Sequence, residues 1–219
     1  MDSIDNCKSL EEITKRRLEA YEVQVANGDN YEGVLVGIYE KPTHFVYELL
    51  QNADDALATE VCFELNSDKL VFYHNGSKDF NLKDIISITG VGNSTKKNDK
   101  SVGKFGVGFK SVFAITDTPL IYNRVFNFRI EHLTIPYEMD PDDLNGYTTK
   151  FVLPFNSSKN KNDNSMIIEK ISEELSGLDC ATIMFLRNIN KIHINDRGKE
   201  SGILLNREEL ENYELVQDL

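Results

Sequence analysis

Glu48, Asn52 and Asp55 stand at i, i+4 and i+7 in the stretch from Thr43 to Ala58. At 3.6 residues per turn that spacing lines them along one side of an α-helix. His44 and Gln51 share the side, whereas Phe45, Val46, Leu49, Leu50, Ala53, Ala56 and Leu57 fall on the other, which must meet a core. A solvated helix face usually carries Lys, Arg or Glu-to-Lys pairs, and this one carries none. An Asn oxygen is a hard ligand suited to Mg²⁺. A Glu one turn away can take a proton from a water attacking a phosphate. By periodicity alone, a solvated outer face is the stronger reading.

The second candidate is Ser101-Val102-Gly103-Lys104-Phe105-Gly106-Val107-Gly108-Phe109-Lys110-Ser111. Its glycines let backbone approach a ligand closely and aim amide hydrogens at it, and a helix opening behind it would add a field that favours anions. Lys96, Lys97, Lys100, Lys104 and Lys110 gather positive charge in a chain whose formal net charge is -12. That local reversal points to a polyphosphate. The glycine spacing is neither that of a P-loop nor that of a dinucleotide fingerprint, and a flexible loop before a buried helix is the competing reading.

These residues need elements to hold them. Ser9-Leu10-Glu11-Glu12 reads as a capping box opening a helix to about Ala26, and Asn27 to Asn30 ends it. Residues 31 to 39 are ambiguous. A helix is expected from Thr43 to Ala58, then strands at Val61–Leu65 and Leu70–Tyr73, the latter ended by His74-Asn75-Gly76. A short helix at Leu82–Ile88 precedes a polar, lysine-rich loop over 90–104 that cannot pack a core. An apolar helix follows Gly108 and ends near Ile115. Strands are expected at Pro119–Tyr122, Phe126–Ile130, Thr149–Phe155 and Lys191–Ile194, with a helix at Met166–Leu175. After Asn195 the chain is charged and reads as helical, so 1–195 is taken as one domain and 196–219 as an extension that could open a further module. Mixed elements without regular alternation give an α+β two-layer sandwich rather than a doubly wound sheet.

The acidic balance, with a pI near 4.8, argues against nucleic acid or an anionic membrane as partner. Cys7, Cys62 and Cys180 are far apart and odd in number, which argues against a disulfide framework or zinc site and fits a reducing cytoplasm. Cys62, in the run Val61-Cys62-Phe63, reads as a core residue. No signal peptide is visible, and no apolar run is long enough to span a bilayer.

Taken together, these residues resemble the GHKL ATPases: gyrase B, the ninety-kilodalton heat-shock chaperones, histidine kinases and MutL. Glu48 to Ala56 looks like the first motif, E-x-x-x-N-x-x-D-A; Gly103 to Phe109 looks like the glycine motif; Thr149 to Pro154 looks like the late threonine-plus-strand motif. The wording from Glu48 to Ala56 is nearest the sacsin-like, chaperone-related branch. The resemblance implies a mixed, mostly antiparallel sheet covered on one face by helices, with Mg-ATP between the helices and a lid over 90–102. It makes Glu48 the general base, Asn52 the Mg²⁺ ligand, and Asp55 and Ala56 a pocket wall. Phosphates would lie on the run Gly103, Lys104, Phe105, Gly106, Val107, Gly108 and Phe109, and Thr149 would help fix the adenine end through water. The chain departs from the family at the D-x-G motif, where His74-Asn75-Gly76 stands and His74 replaces the aspartate; Asp79 lies just downstream. The activity implied is Mg-dependent ATP binding with slow hydrolysis, since such ATPases complete the site with a basic residue from a following domain. Protein partners or clients and a nucleotide-dependent dimer go with it. A non-hydrolysing, nucleotide-gated interaction module is the alternative. Histidine autophosphorylation is disfavoured, because no His precedes His44.

Overall fold

The computed structural model describes residues 3–28, 43–90, 108–158, 164–210 and 213–218. Helix α1 (Leu10–Ala26) starts where the capping residues place it, with the Ser9 hydroxyl accepting the Glu12 N–H. The Glu12 carboxylate reaches one residue further than a capping box requires, to the N–H of Lys8. Helix α2 (Phe45–Asp55) buries Phe45, Val46, Leu49, Leu50 and Ala53 as its wheel dictates. It ends because Leu57 turns left-handed, at φ 60°. That turn leaves Leu57 42% exposed, so it does not join the core face as its spacing implied.

Among the described residues nine strands follow: β1 (Glu60–Leu65), β2 (Lys69–His74), β3 (Leu120–Asn123), β4 (Asn127–Glu131), β5 (Ile135–Glu138), β6 (Thr149–Pro154), β7 (Lys191–Asp196), β8 (Lys199–Leu210) and β9 (Tyr213–Asp218). They form one sheet in the order β5-β4-β3-β6-β2-β1-β7-β8-β9. Among the described residues only β1 and β7 pair in parallel, so the sheet is mixed and mostly antiparallel. The strand alternation sets its faces: Val61, Phe63 and Leu65 of β1 and Ile192 and Ile194 of β7 are buried, while Glu60, Cys62 and Glu64 point the other way. The buried face meets α2, α3 (Leu82–Ile88), α4 (Ser165–Ser176) and the short α5 (Cys180–Met184), whose apolar residues join one continuous core. This is the α+β sandwich with helices against one face.

Three local expectations change. Cys62 is only half-buried, on the face away from the helices, and burial beside Glu64 and Glu200 pushes its thiol up to about 11. The helix after Gly108 is a 3-10 helix, Phe109–Ala114, too short to carry a substantial end dipole. The charged tail is not helical. Arg197 and Gly198, at φ 52° and 89°, make the two-residue turn that a tight hairpin needs, and β8 and β9 extend the sheet beyond β7. Strand β5 was hidden by Pro136, which an edge strand accepts because its outer side needs no N–H. Helix α1 packs along this edge.

Candidate functional site

Helix α2 carries its polar line to a cavity of about 370 Å³. Asn52, Asp55 and Ala56 form one wall, His74 closes the end of β2, Phe151 comes from β6, and Lys78 to Asn81, Asp84 and Ile88 complete the lining. The strands set this up by register. His74 pairs with Thr149 and Phe72 with Phe151 across β2 and β6, and directly opposed residues share a face, so all four point toward the helices. Thr149 is buried beside His74.

Gly76 lets the end of β2 reach the end of α2. A Cβ there would lie 2.8 Å from the Ala56 carbonyl oxygen and from His74 Nδ1. Lys78 ties the same corner, donating its N–H to the Ala56 oxygen and its ammonium, at 2.7 Å, to the Asp55 oxygen. Burial raises the Asp55 carboxyl, with Asp54 adding to the effect and Lys78 and Arg187 opposing it.

The Glu48 carboxylate lies against Gly108, filling the space a side chain there would take: a Cβ on Gly108 would stand 1.7 Å from Glu48 Oε2. The Gly108 oxygen is held by the Ser111 hydroxyl at 2.6 Å and the Ser111 N–H at 3.0 Å. One turn back on α2, His44 Nε2 sits 3.4 Å from Glu48 Oε1. The last glycine of the loop motif therefore meets the carboxylate of the first motif. Gly103, Lys104, Phe105, Gly106 and Val107, with the 90–102 lid, lie outside the described residues.

Several expected residues are placed elsewhere. Asn75 faces away from the cavity: its Oδ1 accepts the N–H groups of Thr59 and Glu60, so it anchors the start of β1. Phe109 is a core residue, its ring 5.8 Å from that of Phe151. Lys110 is buried, donates to the Leu133 carbonyl, and is not available to a phosphate. Asp79 lines the cavity, but its carboxylate is held by Arg124 Nε at 2.8 Å.

Sequence reasoning missed Asp54. Its buried carboxylate accepts the N–H groups of Arg187, Asn188 and Ile189 at 2.7 to 3.1 Å, fastening α2 to the approach of β7. The signal was a carboxylate at the border of the apolar face, beside Ala53.

Mg²⁺ would find few protein donors at this cavity. Among the described residues no three His, Cys, Asp or Glu side chains cluster to hold a metal. Asn52 lines the cavity, and its amide has no protein partner among the described residues. That donor set fits an ion bound mainly by phosphate oxygens and water, with one protein oxygen.

Residues 67–130 match the family model described as Sacsin domain. Over this stretch the chain is sacsin-like. It is 27% identical over 199 residues to Protein NO VEIN of Arabidopsis thaliana, covering 78% of this chain and 7% of that protein. It is 36% identical over 108 residues to Sacsin of Homo sapiens, covering 40% of this chain and 2% of that protein. The chain thus spans a small fraction of the relatives it matches. The sacsin-like stretch contains His74, Gly76, Asp84 and Gly108, whereas α2 and β6 lie outside it. Among the described residues no helix is long and apolar enough to cross a membrane.

Proposed function

We propose that this sacsin-like chain is a GHKL-type nucleotide-binding domain. It would bind a Mg-nucleoside triphosphate, with ATP expected from the resemblance, and hydrolyse it slowly, with Glu48 as the general base. One observation carries the reading: the Glu48 carboxylate lies in the space that Gly108 leaves open, so the acidic residue of the helix meets the end of the glycine-rich run one helical turn from Asn52 on the cavity wall. The loop amides would hold the phosphates, and the base would lie between Phe151 and the end of α2. Asn52 would hold the Mg²⁺, which when bound neutralises charge on the phosphoryl oxygens. Glu48 would orient a water and accept its proton, and His44 leads from that carboxylate to solvent, its side chain being 57% exposed. Nucleotide state would be read by protein partners, in a cytoplasmic, chaperone-related setting.

Glu48→Ala tests the role directly. Calorimetry should show nucleotide binding retained, while phosphate release falls to background. Release at the wild-type rate would remove Glu48 from the chemistry. The second reading, a nucleotide-gated interaction module without turnover, is favoured by His74 at a position where the resemblance expects a carboxylate. Binding without release in the unmodified chain would select it.

A further inference from the structure

We infer that the cavity selects a nucleotide whose purine carries a carbonyl at position 6, because the end of β2 offers that position an imidazole N–H. This rests on the nucleotide reading above and names the base that the site prefers.

His74 is buried, with 3% of its surface exposed, and it lines the cavity. Its tautomer follows from one contact. The Gly76 backbone N–H points at Nδ1 from 3.1 Å. A backbone N–H only donates, so Nδ1 must present a lone pair, and the neutral ring then holds its proton on Nε2. The ring is neutral at physiological pH, since burial lowers its pKa to about 4. It cannot flip without orphaning the Gly76 N–H. The Thr148 hydroxyl holds the same corner, reaching the His74 carbonyl at 3.1 Å and the Gly76 carbonyl at 2.7 Å.

The Nε2–H has no protein partner among the described residues, and Phe72 and Phe151, each with its ring centre 6.2 Å from that of His74, provide none. This donor opens on the cavity, and an occupant that displaces water from it must supply an acceptor in return. The 6-amino group of adenine is itself a donor and would set hydrogen against hydrogen. The 6-carbonyl of hypoxanthine or guanine is an acceptor. Asp55 and Asp84 line the same cavity and bring acceptors for the N1–H that accompanies such a carbonyl. Sites that meet a ligand's polar group reject the analogue lacking it, because their own buried group is left unpaired.

Calorimetric titration of the chain with ITP, GTP and ATP in Mg²⁺ tests this, because ITP differs from ATP only in the 6-substituent and the N1 hydrogen. ITP and GTP should bind on the order of tenfold tighter than ATP, the discrimination of about one hydrogen bond. His74→Asp, which offers an acceptor, should reverse the order. His74→Asn, neutral and able both to donate and to accept, should level the three, and it decides the matter if the Asp variant fails to fold. ATP binding as tightly as ITP or tighter in the unmodified chain overturns the inference and leaves the triphosphate site standing. The wild-type order persisting in the folded Asn variant also overturns it. No binding by any of the three overturns the nucleotide reading itself.

Discussion

At the scale of single residues, Gly108 has the tightest requirement. It needs no special backbone, its φ being -66°, so the reason for glycine is the Glu48 carboxylate in its place. Gly108→Ala should push that carboxylate aside while leaving the core intact. Phosphate release is expected to fall on the order of tenfold or more, with a melting temperature within a degree or two of wild type; unchanged release would show that Glu48 can shift without consequence. The meeting of positions 48 and 108 was legible, because helical spacing and a glycine run each carry chemistry in their residue types. The fate of Asn75 and Lys110 was not. Asn75 reads as a pocket residue until the start of β1 is seen to need its oxygen. Lys110 reads as a phosphate ligand until the left-handed residues His132 and Leu133 turn a carbonyl toward it. Both depend on contacts between distant segments, which no local pattern contains.

At the scale of elements, α2 works through its attachment as much as through its exposed line. Asp54→Ala would strand three backbone N–H groups, two of them at the half-buried approach to β7. A loss of about 3 kcal/mol is expected from removing a charged acceptor from buried donors, read by urea denaturation. A change under about 0.5 kcal/mol would mean that the clamp opens to water at little cost. Asp54→Asn keeps an oxygen acceptor and should lose less. The helices and central strands were readable because a single period dominates each one. The edges were not. In β5 a proline masked the strand, and in β8 and β9 charge mimicked a solvated helix, although an edge strand also carries charge to discourage further pairing.

At the scale of the whole molecule, stability should respond to pH in an unusual direction. Burial, with Arg17 nearby, pulls the Lys110 ammonium from its usual 10.5 to about 7. Above pH 7 the folded chain gives up that proton while the unfolded chain keeps it, so the unfolded state binds more protons and stability rises with pH. Cys62 acts in the opposite sense between about 9 and 11, since the fold retains its proton longer. The window is therefore pH 7 to 9. The melting temperature should climb there, and the climb should vanish in Lys110→Met; equal slopes in both proteins would assign the effect elsewhere.

The Asp54 fastening has one more consequence. Its neighbours Asn52 and Asp55 face the cavity, while its own carboxylate grips the segment that feeds β7, and β7 leads to β8 and β9 at the far margin of the sheet. The last turn of α2 and the segment feeding β7 thus share one attachment, at residue 54. A substitution that loosens residue 54 should therefore disturb the cavity wall and the approach to the outer strands together rather than either alone.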